Sequence, residues 1–93
     1  MLEIHCRKCN TILALYQKDG PGNLRRMYLD RIISPAGLAK LQYKKLGKIP
    51  NLRCRNCGET LGIPYIYEKE RRKAFRLFQD AVTKKIRKLS TNI

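Results

Sequence analysis

The alternation of apolar and polar residues predicts short β-strands at the start of the chain. Leu2–Cys6 alternate in this way, and Ile12–Tyr16 form a second run that favours a strand. Turn-forming residues concentrate in 18–23. The next segment, 24–33, is therefore expected to return as an antiparallel strand.

The middle of the chain interrupts this strand pattern. Ser34 and Pro35 predict the start of a short helical turn, with Ser34 as its cap and Pro35 in its first position. The segment 38–46 that follows fits either a short helix or another strand. Residues 47–51 contain glycine and proline, and we interpret them as a connector.

The last third of the chain leaves two interpretations open. Residues 62–67 are rich in β-branched and aromatic side chains and predict a strand, with Pro64 at a sheet edge or at the start of the strand. Residues 68–89 fit a helix, because their apolar and basic residues fall on opposite sides of it. They also fit a hairpin with strands over 74–78 and 82–86. Local propensities favour neither, so a short helix near the C-terminus and a hairpin both stay open.

A repeated motif carries the clearest chemical signal. The chain contains two Cys-x-x-Cys pairs, and their flanks match as apolar-x-Cys-Arg-x-Cys-(Asn or Gly)-x-x-Leu-small. Four thiolates are the complement of a tetrahedral structural zinc site, and this spacing lets both sulfurs of a pair reach one ion. We therefore predict one structural Zn²⁺ bound by Cys6, Cys9, Cys54 and Cys57.

Several details of the motif bear on this prediction. Asn10 and Gly58 follow the second cysteine of each pair, where a chain folding back after its ligands needs a positive φ. The alternatives are two disulfides, a redox pair or iron. No signal peptide opens the chain, so a cytoplasmic and reducing location is expected, which disfavours disulfides. We expect His5 to be a partly exposed strand residue and not a fifth ligand.

Length and charge define the class of partner. The 93 residues predict a single zinc-binding domain over 1–93 with a basic C-terminal segment. Lys and Arg number 21 against 7 Asp and Glu, a formal net charge of +14. Such an imbalance opposes compaction, and a polyanion relieves it, with nucleic acid the first candidate. No apolar stretch approaches the ~20 residues of a membrane span.

Two segments contain basic residues and no acidic ones. They run from Arg31 to Gly58 and from Asp80 to the end of the chain, excluding Asp80 itself. We predict RNA contacts from basic residues in and around these segments and beside the cysteines. These are Arg7, Lys44, Lys45, Lys48, Arg53, Arg55, Arg71, Arg72, Lys84, Lys85, Arg87 and Lys88. Most of the five tyrosines are expected in packing, although an exposed one would stack on an unpaired base.

The two cysteine motifs resemble those of the Yippee-like group of zinc proteins. The likeness includes Thr11 after the first pair, and Leu61, Gly62 and Tyr65 after the second. The resemblance implies a β-tent, in which two antiparallel sheets are pinned at their apex by the four cysteines. The chain is also similar in size, charge and ligands to small zinc-binding ribosomal proteins. The expected fold is thus a small β-rich zinc-stabilised domain of antiparallel hairpins pinned by one four-cysteine zinc site, β-tent or zinc-ribbon like.

These observations favour an RNA-binding structural zinc protein, either a ribosomal component or a ribosome-associated one. Ribosomal RNA is the expected partner, with ribosomal proteins as further contacts. The alternatives are an interaction adaptor of the transcription or translation machinery and a ligand-reading β-tent module. An enzyme is not expected, because four thiolates leave no position on the metal for water or substrate. A small-molecule substrate and a membrane are not expected either.

Overall fold

Two antiparallel four-stranded sheets form the molecule in the computed structural model, which describes residues 1–18 and 22–87. The strands are β1 (Leu2–Cys6), β2 (Ile12–Tyr16), β3 (Arg26–Tyr28), β4 (Ile32–Ser34), β5 (Leu52–Arg53), β6 (Thr60–Tyr67), β7 (Arg72–Leu77) and β8 (Val82–Ile86). The first sheet has the order β4-β2-β1-β8 and the second the order β3-β7-β6-β5. The prediction of a small β-rich fold with antiparallel sheets and little helix is confirmed.

The first two strands form where the sequence pattern predicts them, and they pair antiparallel. Ile4 of β1 lies opposite Ala14 of β2, and both are buried. The register shifts between Ile4 and His5, and such a bulge bends the strand before the cysteines.

The segment 24–33 does not form the single strand that we expected. It divides into β3 in the second sheet and β4 in the first, joined by a 3-10 turn over Leu29–Arg31. Leu29 is 1% exposed, so burial of this side chain accompanies the change of sheet. Only β4 returns antiparallel to β2.

Short helical elements follow β4. Helix α1 spans Ala36–Ala39, and 3-10 turns span Lys40–Tyr43 and Leu46–Lys48, so the helical alternative for 38–46 describes this segment better than a strand. The predicted cap is wrong. Pro35 takes the N-cap position without a side-chain cap, because β4 continues through Ser34.

The C-terminal segment forms strands and not a helix, but its two strands do not pair with each other. β7 lies between β3 and β6 in the second sheet, whereas β8 pairs with β1 in the first. The predicted hairpin is therefore wrong in its pairing. The physical reason is that β7 is paired on both sides within the second sheet, with Phe75 buried in the core, while Val82 lies opposite Cys6 of the first sheet. Pro64 lies on β6 beyond Gly62, where the pairing of β6 with β5 ends. This side of β6 is a sheet edge there, as predicted for Pro64.

Both sheets contribute to one core. Ile4 from the first sheet and Met27 and Phe75 from the second are fully buried in it. The core also receives Leu41 and Ile49 from the helical segment. Among residues 1–18 and 22–87, no helix is long and apolar enough to cross a membrane.

Candidate metal centre and basic cleft

The four cysteines meet at one end of the two sheets. Cys6 ends β1 and Cys54 directly follows β5, so one pair of sulfurs comes from each sheet. All four Sγ atoms lie within 4.8 Å of one another, with 3.7 Å between those of Cys6 and Cys57 and 3.5 Å between those of Cys9 and Cys54. A disulfide requires about 2.05 Å, whereas sulfurs at about 2.3 Å from a tetrahedral ion are about 3.8 Å apart. The cluster could therefore coordinate a single metal ion.

The two knuckles, defined as residues 6–11 and 54–59, have matching backbones. The N–H of Asn10 donates to the carbonyl of Cys6 at 2.7 Å, and the N–H of Gly58 donates to that of Cys54 at 2.9 Å. Asn10 has φ of 63° and Gly58 has φ of 78°. The predicted positive φ at both positions is confirmed, and the motif repeat corresponds to a repeat in structure.

The thiols of the cluster differ in acidity when no ion is bound. A hydrogen bond with the Thr11 hydroxyl, 3.1 Å away, is the main cause that lowers the pKa of Cys9 to about 5. The backbone N–H of Cys57 lowers the pKa of Cys54. The backbone N–H of Glu59 favours the Cys57 thiolate, but desolvation and the neighbouring sulfurs outweigh it and raise the pKa of Cys57 to about 11. Because metals bind thiolates, an ion in this cluster would displace the Cys57 proton.

His5 lies beside the cluster and differs from our expectation. It belongs to β1, but it is 5% exposed and therefore buried. One ring nitrogen lies 2.9 Å from a carboxylate oxygen of Glu3, and the other lies 3.3 Å from the carbonyl oxygen of Asn10. These contacts position the ring under the first knuckle. Within the described residues, the ligand cluster comprises the four cysteines alone.

A cleft of about 910 Å³ adjoins the first knuckle. It is lined by the edge strands β8 and β3, by the end of β7 and by the segment that joins β7 to β8. Five cations line it, namely Arg7, Arg25, Arg26, Arg76 and Lys84, against the one carboxylate of Asp80. We call this feature the basic cleft.

Most of these cations have no carboxylate partner. Within residues 1–18 and 22–87, no hydrogen bond or ion pair engages the side chains of Arg7, Arg25 or Arg76. The Nζ of Lys84 donates to the carbonyl of Gly22 at 2.9 Å. Among the described residues, one carboxylate lines the cleft against five cations, so the cleft carries an excess of positive charge.

Arg26 is held more firmly than the other cations of the cleft. Its Nε donates to the hydroxyl of Tyr65 at 3.0 Å, and its guanidinium lies 3.9 Å from the centre of the Tyr67 ring. Although burial opposes it, hydrogen bonding to Tyr65 and Tyr28 raises the pKa of Arg26. This fixes one cation at the end of the cleft.

Two residues of the predicted RNA-contact set, Arg7 and Lys84, line the basic cleft. Others take part in contacts within the protein. Arg72 is ion-paired with Asp30 at 2.6 Å and Glu70 at 2.9 Å, and the bond to Asp30 is the main cause that raises its pKa. The further contacts are Arg87 with Glu3, Arg55 with the Ile12 carbonyl and Arg53 with the Thr60 hydroxyl.

The remaining predicted contacts lie apart from the cleft. Lys44, Lys45 and Lys48 are exposed in and around the 3-10 turns, Arg71 is exposed between β6 and β7, and Lys85 is exposed on β8. Lys88 lies outside the described residues. The structure thus brings only part of the predicted set together.

Sequence reasoning missed Arg25, Arg26, Arg76 and Phe78. A signal for Arg76 was present, because period-two alternation places it on the face opposite buried Phe75 once 72–77 is taken as a strand. Arg25 and Arg26 could not be found in this way. They line the cleft because β3 pairs with β7 in the second sheet. The local pattern of apolar and polar residues did not indicate this pairing.

Comparison of the chain with protein-family models, curated proteins and solved structures finds no match. The Yippee-like likeness is therefore one of motif, and it identifies no family. Function has to be argued from the cysteine cluster and the basic cleft.

Proposed function

We propose that the protein is a zinc-stabilised RNA-binding domain. Zinc is supported by the donor set, since four thiolates at nearly tetrahedral spacing suit Zn²⁺ better than metals that prefer oxygen ligands. Four protein ligands complete the coordination sphere, which gives the ion a structural role. No catalytic step is proposed for it.

The observation that carries the RNA assignment is the basic cleft. Five cations surround one carboxylate there, and three of the arginines have no partner among the described residues. Arg guanidinium groups bind phosphate oxygens through paired N–H donors, and each neutralised phosphate releases counterions. The net charge of +14 adds a long-range attraction to polyanions. Phosphate recognition of this kind positions a nucleic acid without reading its bases.

We further propose ribosomal RNA as the RNA class, in the cytoplasm and with ribosomal proteins as neighbours. The small size, the high positive charge and the four-cysteine cluster support this assignment. Sedimentation of cell extracts tests it. The protein should travel with ribosomal subunits at low salt and return to the top of the gradient after ribonuclease treatment. Sedimentation unchanged by ribonuclease would favour a protein adaptor instead.

Direct binding to structured RNA tests the proposal as a whole. Gel-shift or filter-binding measurements at several salt concentrations should give an affinity that falls steeply with salt, because phosphate contacts dominate. Metal content measured on the same sample should be one zinc per chain. Absence of RNA binding, or an affinity indifferent to salt, would overturn the RNA function, and absence of zinc would overturn the metal assignment.

A further inference from the structure

An exposed aromatic ring lies among the arginines of the basic cleft. Phe78 is 45% exposed and lines the cleft together with Arg25 and Arg76. Its backbone is fixed on both sides, since its N–H donates to the Leu61 carbonyl at 2.9 Å and its carbonyl accepts from Ala81 at 3.2 Å. The ring is therefore presented from an anchored segment.

The tyrosines near this surface are already engaged. Tyr28 is covered by Arg72 at 3.7 Å and Tyr67 by Arg26 at 3.9 Å, measured to the ring centres. Tyr65 lines the cleft, and its hydroxyl accepts from Arg26. Among the aromatic rings of the cleft in the described part of the chain, Phe78 is the more exposed and has neither kind of contact. A base covering this exposed ring would remove apolar surface from water, which is favourable.

The size of the cleft restricts the ligand. Its volume of about 910 Å³ falls at the upper end of the range of sites that enclose small molecules, about 300–1,000 Å³. Such a space accommodates a few nucleotides and is too small to enclose a duplex. In a duplex, moreover, the base faces are stacked on one another and are not available to a protein ring.

The geometry points to single-stranded RNA as the ligand of the basic cleft, with an unpaired base stacked on Phe78 and the flanking phosphates bound by Arg25, Arg76 and Arg7. A ring on which one base stacks, flanked by cations that follow the backbone, is the arrangement that single-strand binding requires. This inference rests on the proposed RNA-binding function and specifies its substrate class.

The test compares one RNA sequence in two forms. A fluorescein-labelled pyrimidine-rich oligonucleotide of about ten residues, typical of a small single-strand site, is titrated alone and as a duplex with its complement. Fluorescence anisotropy should show the single strand bound about tenfold more tightly. Phe78→Leu keeps apolar bulk and removes the ring, so it should weaken single-strand binding about tenfold and leave duplex binding unchanged. Phe78→Tyr should retain wild-type affinity.

The matched control is Tyr43→Leu. Tyr43 is 83% exposed but lies outside the cleft, beside Lys44 and Lys45, so its loss should change affinity by less than about twofold. Circular dichroism and metal content confirm that each variant is folded. Equal binding of both RNA forms with no effect of Phe78→Leu would overturn this inference alone, as would a loss confined to Tyr43→Leu. Failure of the wild-type protein to bind either RNA would overturn the proposed function itself.

Discussion

The candidate metal centre and the basic cleft adjoin each other, yet their side chains differ in how far other groups of the protein engage them. In the centre, the Cys6 and Cys54 side chains are almost fully buried and every sulfur is near another. In the cleft, Arg25 and Arg76 are exposed and lack partners among the described residues. Arg7 belongs to both, since it lies between two cysteines and lines the cleft. This difference underlies our proposal that a metal at the centre maintains the fold and that the cleft binds a ligand.

Sequence distance explains why the centre has this role. Sulfurs that lie 3.5 and 3.7 Å apart belong to residues 45 and 51 positions apart in the sequence. A metal that joins such distant positions closes long loops and offsets their entropy. Variants of the centre should therefore change stability and binding together, and variants of the cleft should change binding alone.

The largest effect is expected from Cys6→Ser. Removal of one thiolate should eliminate most of the structural metal binding, which contributes about 10 kcal/mol in small zinc domains. Circular dichroism should show loss of the folded state, and RNA binding should be lost with it. Lys8→Ser in the same knuckle is the matched control, because the Lys8 side chain is 66% exposed and its pair with Glu59 is superficial. A Cys6→Ser spectrum identical to the wild type would contradict the structural role of the centre.

Gly62→Ala should have the next largest effect on stability. A Cβ at Gly62 would lie 2.7 Å from the backbone oxygen of Arg76, so β6 and β7 must separate at a cost of about 1–3 kcal/mol. Thermal unfolding measures this as a lower Tm. Gly37→Ala on α1 is the control, since nothing lies within 4 Å of its Cβ and alanine favours a helix. Equal Tm values for the two variants would show that this strand contact is not tight.

Arg72→Ala and Arg76→Ala each remove one positive charge from β7. The first arginine is ion-paired within the protein and the second has no side-chain partner among the described residues, so the two variants distinguish a structural cation from one available to a ligand. Arg72 bonds two carboxylates and stacks on Tyr28, so its loss should lower the free energy of unfolding by about 1 kcal/mol. It should change RNA affinity by less than about twofold. Arg76→Ala should leave stability within about 0.5 kcal/mol and weaken RNA binding about fivefold.

Urea unfolding gives the free energy of unfolding of each variant, and fluorescence anisotropy on the same samples gives its RNA affinity. If Arg72→Ala weakened RNA binding as much as Arg76→Ala, binding would depend on total charge and not on the cleft.

The sequence predicted the clustering of the four cysteines well and the cleft poorly, for different physical reasons. Ligand spacing and the positive φ of Asn10 and Gly58 are local properties, so the motif alone indicates them. The cleft depends on how strands are distributed between sheets. Period-two patterns identify β7 and β8 as strands. Which strands they pair with depends on the burial of their side chains against residues distant in the sequence. The same limit concealed the division of 24–33 between two sheets.

The most direct test of phosphate binding by the basic cleft measures the salt dependence of RNA binding. It compares the wild-type protein with the double variant Arg25→Gln, Arg76→Gln. Each arginine that neutralises a phosphate contributes about 1 to the slope of log K against log salt. We expect the double variant to remain fully folded, with a slope shallower by about 2. An unchanged slope in the folded double variant would contradict the assignment of RNA phosphates to the basic cleft.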